Sequence, residues 1–290
     1  MQMLKVRHVT RYRYARPVRF GEHRMMLRPR QDPDQQLVTE RLIITPEPTL
    51  LRIQRDSLGN FVAVAQFAAA ASELCFESEL LVARQRPAAD WDVPLRGLQP
   101  FPRRAAETLD LETWAQGFVG RGSAAGLASI AAMTRHVRAA FAYRRRLETG
   151  VQTPQETLAL RSGACRDFAV LICAAARTLG LEARFISGYV HCAGADDLAA
   201  GGGHTHAWAQ VLTPDAGWVD FDATSGRVGA AGLIRVAAVE DPAHAVPIQG
   251  VYHGEADDFL GMEVEVLVKN AAPLARRPPH REPSPLPSVA

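Results

Sequence analysis

Cys165 stands at the head of an apolar, helix-patterned segment, in the run Ser162-Gly163-Ala164-Cys165-Arg166-Asp167-Phe168-Ala169. Two more chemically capable residues follow at the edges of other apolar segments. His206 lies 41 residues on, in Thr205-His206-Ala207-Trp208, and Asp222 a further 16, in Trp218-Val219-Asp220-Phe221-Asp222-Ala223-Thr224. Neither interval can be spanned locally. If the three side chains act together, the fold must bring two strand ends to the start of one helix, and few architectures do so.

The residue types suit nucleophilic acyl transfer. A thiol reacts as thiolate, yet a free cysteine is mostly protonated at neutral pH. The first turn of a helix carries partial positive charge and unpaired N–H groups that favour the anion. An adjacent imidazolium favours it further, and a carboxylate on the other ring nitrogen orients the imidazole. Backbone N–H groups around Cys165 supply half of an oxyanion hole. Tyr143, Trp208 and Arg166 are the candidates for the remaining substrate or oxyanion contacts. Each residue also has a plainer reading. A cysteine heading an apolar helix is ordinarily a small buried side chain, a histidine between strands is ordinarily structural, and Asp222 alone could cap a turn. The functional reading rests on the three occurring together. Cys173, two turns along the same helix, and Cys75 read as core filler.

The first 85 residues alternate polar and apolar with intervening turns, which predicts an antiparallel sheet or sandwich. Leu42-Ile43-Ile44-Thr45 stops at Pro46, and Asp56-Ser57-Leu58-Gly59-Asn60 separates two short strands as a hairpin. Proline and glycine gather over 87–102, marking a linker. Helices are expected over 105–118 and 124–141, and a third from Thr153-Pro154-Gln155-Glu156, where Thr153 caps, Pro154 fits the first turn and Glu156 completes a capping box. The helix from Cys165 should bury Phe168, Leu171, Ile172, Ala175, Ala176 and Leu179 and stop at Gly180. Strands follow over 183–189, 207–212, 218–221 and 264–268, with a glycine-rich loop at 194–203 that suits the rim of a cleft. The domain reading is a β-rich unit with its linker at 1–95, a core at 96–270 carrying the last strand, and a Pro-rich disordered tail at 271–290.

Composition narrows the function class. The net charge of +2 is too small to imply nucleic acid or an acidic membrane surface as partner. The Arg144-Arg145-Arg146 cluster could bind an anion, although scattered surface arginine is its plainer reading. No stretch approaches the roughly 18 apolar residues of a membrane-spanning helix. The four cysteines lack a disulfide-framework spacing, and residues 1–8 run into alternating charge rather than an apolar signal core. A cytoplasmic protein with reduced thiols is the expectation. Gly201-Gly202-Gly203 lacks the following Lys-Ser or Lys-Thr of a phosphate loop. His191, Cys192, His204 and His206 form the competing zinc reading, but without Cys-x-x-Cys spacing or a rigid frame.

Together, Gly163-Ala164-Cys165-Arg166-Asp167-Phe168-Ala169, His206-Ala207-Trp208 and Gly217-Trp218-Val219-Asp220-Phe221-Asp222-Ala223-Thr224 resemble the transglutaminase-like superfamily of papain-like thiol enzymes. His8-Val9-Thr10-Arg11-Tyr12-Arg13-Tyr14, Leu27-Arg28-Pro29-Arg30, Asp56-Ser57-Leu58-Gly59-Asn60 and Gly250-Val251-Tyr252-His253-Gly254 are similar to the β-rich N-terminal domain of its bacterial members. The resemblance implies an α+β fold in which a nucleophile-bearing helix packs on an antiparallel sheet, preceded by a β-rich domain. It implies Cys165 as nucleophile, His206 as base and acid, and Asp222, not Asp220, as orienting carboxylate. Arg166 departs from the glutamine often found there, and His204 adds an imidazole. No acidic cluster resembles the calcium sites of animal transglutaminases, so neither metal nor cofactor is expected. The implied activity is attack on peptide, isopeptide or side-chain amide bonds of a peptide or protein through a thioester. Protease or amidase chemistry is favoured over cross-linking. The alternatives are a non-catalytic peptide-binding module that keeps the three residues as scaffold, and the zinc site. Oligomeric state is not legible.

Overall fold

The computed structural model describes residues 1–85, 110–120, 123–146, 148–191 and 205–272. The expected linker at 87–102, the glycine-rich loop at 194–203, and the tail from 273 onward lie outside them.

The first half is organised by one long strand, β1 (Gln2–Met25). Its first part lies between β5 (Ala70–Arg84) and β14 (Phe259–Ala271), antiparallel to both. Its second part pairs with β4 (Phe61–Gln66) and β13 (Ile248–His253). Pro17 falls between Arg13 and Val18, where the β5 register shifts, which is where a strand tolerates a residue with no N–H to donate. β2 (Gln35–Thr45) and β3 (Leu50–Arg55) end the path β2-β5-β1-β4-β3 in this sheet of seven, with β13 and β14 branching from β1. The β3–β4 hairpin turns as its sequence requires: Asp56 Oδ1 accepts from the N–H groups of Leu58 (2.9 Å) and Asn60 (2.8 Å), and Gly59 takes φ +79°.

The second half builds an antiparallel sheet in the order β11-β10-β9-β8-β12. These strands are β8 (Ala183–Val190), β9 (Thr205–Thr213), β10 (Gly217–Asp222), β11 (Arg227–Val228) and β12 (Leu233–Val239). Among the described residues, four helices accompany it: α1 (Leu111–Gln116), α2 (Leu127–Ala140), α3 (Pro154–Leu160) and α4 (Cys165–Thr178). The capping box at Thr153 and Glu156 forms as its residues imply. Gly180 stops α4 with φ +79°, a conformation without penalty only for glycine. A short parallel pair, β6 (Ala142–Tyr143) and β7 (Ser162–Gly163), leads into α4.

Two apolar clusters explain why α4 is hydrophobic nearly all round. Phe168, Leu171, Ile172 and Ala175 pack with Trp114, Ile130 and Met133 of α1 and α2 and with Ala209, Val211 and Phe221 of the sheet. On another side, Ala169 joins Phe185, Ala207 and Ile234 of the sheet to Leu4, Val6, Val64 and Val82 of the first half. The two halves therefore share one interior. Of the residues expected to point inward along this helix, only Leu179, which follows its last residue, is less than buried.

One expectation is corrected. The strand predicted to end the core, at 264–268, belongs to β14 and pairs with β1 in the first sheet. Alternation identifies a strand but carries no information about which partner receives it.

Candidate active site

Cys165 is the first residue of α4 and is partly exposed. The residue before it, Ala164, has no side chain able to cap the helix, so Asp167 takes that task from inside the first turn. Its buried carboxylate accepts from Ala164 N–H (2.8 Å), from Gln152 N–H (2.7 Å) and from Arg146 Nη1 (2.7 Å). These bonds fix the approach to the cysteine. Gly163 is required there, since a Cβ at that position would lie 2.9 Å from Asp167 Cβ and 3.0 Å from Gln152 Oε1.

His206 is the second residue of β9 and sits opposite Gly188 of β8. A Cβ on Gly188 would meet Ile234 O at 2.0 Å and the Trp208 ring at 2.8 Å, so only glycine admits that indole. Trp208 in turn stacks with the His206 ring, centroids 6.0 Å apart at 26°. Nε2 of His206 lies 3.0 Å from Asp222 Oδ2, which is ion-pair distance, although its N–H direction is off the line of a well-formed hydrogen bond. The other ring nitrogen is left for the Cys165 thiol, with which the ring is hydrogen-bonded. Asp222, at the end of β10, accepts from Thr224 N–H (3.0 Å) and from Ser225 Oγ (2.7 Å).

The electrostatics follow from this geometry. Burial disfavours the Cys165 anion, but the His206 hydrogen bond and charge, with a hydrogen bond from Ala207 N–H, outweigh it and hold the thiol below its ordinary range. Burial likewise opposes the His206 cation, and Asp222 together with Cys165 overcomes this and raises the imidazole well above its ordinary value. The Asp222 carboxyl stays below the usual carboxylate range despite its burial, held there by His206 and its two donors. Cys173 is the contrast: with no such partner, burial pushes it up to about 12. A thiolate and an imidazolium side by side can attack a carbonyl carbon and protonate a leaving amine.

The remaining candidates divide. Tyr143 is exposed beside the nucleophile, its phenol pushed up by partial burial and by the charge of Cys165. Trp208 is fully buried, and its indole N–H is committed to Asp220 Oδ1 at 2.7 Å, so it offers no donor to an oxyanion. Arg166 turns away to the carbonyls of Arg146 and Glu148 and braces that loop. The zinc reading needs Cys192 and His204, which lie outside the described residues. Among the described residues, no group of three His, Cys, Asp or Glu side chains could hold a metal ion.

Sequence reasoning missed the residues behind the site. Asp220 is buried and takes, besides the Trp208 N–H, Arg235 Nη1 at 2.9 Å. Arg235 also binds Asp32 (2.9 Å) and Asp34 from the first half. An ion network, buried at Arg235 and Asp220, thus runs from the segment ahead of β2 to the indole that lies against His206. Asp167 could have been suspected, since an acidic residue in a first turn is a known helix-start signal. The Arg235 network has no local signature.

Residues 4–83 match the family "Bacterial transglutaminase-like N-terminal region", and residues 112–223 match "Transglutaminase-like superfamily". Uncharacterized proteins of Mycobacterium tuberculosis and Mycobacterium bovis are each 28% identical over 290 residues, covering 91% of this chain and 92% of theirs. A solved structure described as "a Putative Cysteine Protease from Cytophaga hutchinsonii" superposes with a TM-score of 0.66 at 21% identity, covering 93% of this chain and 92% of that one. That likeness is one of fold, and it spans both halves. Residues 112–223 thus belong to the transglutaminase-like superfamily, and residues 4–83, ahead of them, to the N-terminal region of its bacterial branch.

Proposed function

We propose that this protein is a thiol-dependent amide hydrolase or acyltransferase acting on peptide, isopeptide or side-chain amide bonds, with Cys165 as nucleophile. The observation that carries the reading is the chain of contacts from Asp222 through His206 to Cys165, with the thiol held low and the imidazole held high. The Cys165 thiolate adds to the amide carbon, and His206 passes its proton to the departing nitrogen. A thioester remains, and ammonia or an amine leaves. Water or a second amine, deprotonated by His206, then releases the acyl group and restores the thiol. Asp222 holds the ring and balances its charge.

Hydrolysis is the favoured outcome. Transamidation needs a site that excludes water from the thioester, whereas Cys165 is partly exposed and Tyr143 beside it is exposed. The substrate would be a peptide or protein.

The test is the pH dependence of Cys165 alkylation by iodoacetamide, with Cys165→Ala as background and His206→Ala for comparison. Rapid labelling well below pH 8 that slows in His206→Ala is expected. A rate that simply follows an ordinary thiol titration in both proteins would refute the mechanism and favour the non-catalytic peptide-binding reading.

A further inference from the structure

Of the arginine run Arg144-Arg145-Arg146 only Arg146 has a role in the site described above, through Asp167, yet the run lies along the strand that delivers the nucleophile. β6 pairs with β7 in parallel, Tyr143 opposite Gly163, and the Arg144 N–H donates to Gly163 O at 2.9 Å. Gly163 is two residues before Cys165, so at about 3.3 Å per extended residue the two lie about 7 Å apart along the chain. Beside this pair opens a groove of about 410 Å³, lined by Arg144, Arg145, Arg146, Gln152, Ser162 and Gly163 among others.

The three arginines are not equivalent. Arg146 is neutralised by Asp167 at 2.7 Å and by Glu148, which also borders the groove, at 3.6 Å. Arg144 and Arg145 are exposed, and neither has an ion-pair partner among the described residues. The groove thus presents two guanidinium groups that lack an ion-pair partner among the described residues, with Ser162 and Gln152, beside Gly163, which precedes Cys165 by two residues. A guanidinium offers a planar fork of donors that matches a carboxylate.

We infer that this groove is a carboxylate-recognition subsite, and that the substrates attacked by Cys165 carry an acidic side chain one or two residues from the scissile amide on its acyl side. The inference rests on the thiol-enzyme reading and adds a specificity to it. Substrate extended over Cys165 lays its neighbouring side chain along β7, where Arg144 and Arg145 meet the carboxylate. A neutral amide of the same shape leaves them unpaired.

The experiment compares two affinity labels, N-acetyl-Glu-Gly chloromethyl ketone and its Gln counterpart, which alkylate the thiol with loss of chloride. In the wild-type protein the Glu reagent should inactivate about tenfold faster, in line with a hydrogen bond to a charged group. In Arg144→Gln/Arg145→Gln that ratio should fall to about one; both side chains are exposed, and the ratio cancels any change common to the two reagents. A wild-type ratio of one, or a ratio that survives the double substitution, overturns the subsite while leaving the reactive thiol in place. If neither reagent nor iodoacetamide labels Cys165, the thiol-enzyme reading falls instead. Titration of Cys165→Ala protein with glutarate then decides the subsite: saturable binding lost in the double variant sustains it, and the absence of saturation overturns it.

Discussion

His8 makes the stability of this protein sensitive to acid in a way that can be isolated. It is 1% exposed, on β1, in the wall between the two halves. Nδ1 lies 3.1 Å from the Tyr189 hydroxyl and Nε2 lies 2.9 Å from Thr10 Oγ1. Tyr189 donates its own proton to Leu27 O at 3.2 Å, so its oxygen accepts from His8. Nδ1 therefore carries the ring proton, Nε2 accepts from Thr10, and the ring is neutral. Burial holds it down at about 4, against 6.5 in an open chain. Below 6.5 the unfolded chain takes up a proton that the folded chain refuses, so the contribution is whole above that pH and is lost as the pH falls toward 4. At 1.36 kcal/mol per pKa unit the full effect is about 3 kcal/mol, of which about 2 kcal/mol is lost between pH 7 and pH 4.5. Other buried groups also titrate, including His23 and His136, both lowered by burial. The measurement is accordingly a difference. Urea unfolding of wild type and His8→Asn, an amide that keeps a donor for Tyr189 without titrating, is followed at both pH values. The wild type should lose about 2 kcal/mol more than the variant on acidification. Parallel losses in the two proteins would show that His8 is not a buried neutral ring and would refute its packing between the halves.

Three further outcomes are expected. Asp222→Asn, made in Cys165→Ala protein to remove the thiol's influence, should lower the pH at which His206 gives up its proton by about one to three units, read from the imidazole NMR shifts; an unmoved titration would mean that Asp222 does not support the cation. Arg235→Met leaves the buried Asp220 without its cation, while Asp34 keeps Arg84 and Asp32 keeps Arg30, and should cost about 3–5 kcal/mol in urea unfolding, with Arg235→Lys recovering part of it. Cys165→Ala, which removes a sulfur from a partly exposed position, should leave the thermal midpoint nearly unchanged while abolishing alkylation at residue 165.

Much of the local structure is written where it occurs. The Asp56 turn, the Thr153 cap and the Gly180 stop each depend on residues within five positions of one another, and each forms as the sequence implies. The helix headed by Cys165 was equally legible, because its apolar residues recur at helical spacing. What stayed hidden depends on distant pairs. Nothing in the alternation of 264–268 says that it will lie against Val6 and His8. Asp220 and Asp222, two residues apart on one strand, are indistinguishable by type; their neighbours separate them, Trp208 and Arg235 for the first, His206 and Ser225 for the second. Asp167 carries a helix-start signal that alone does not reveal its second task, anchoring a loop 15 to 21 residues upstream.

The pairing of β1 with β14 has a consequence for how the molecule is made. On a ribosome, β1 emerges early and β5 soon covers one of its edges. The opposite edge waits for β14, whose first residue, Phe259, follows Met25 by 234 positions. At about 5–20 residues per second, that edge stays open for roughly 10 to 50 s of synthesis. An unpaired edge of that length invites pairing with other chains. A fragment ending at residue 223, where the superfamily match stops, would keep Cys165, His206 and Asp222 but leave β1 without β13 and β14, and should be recovered as aggregate rather than as a small enzyme.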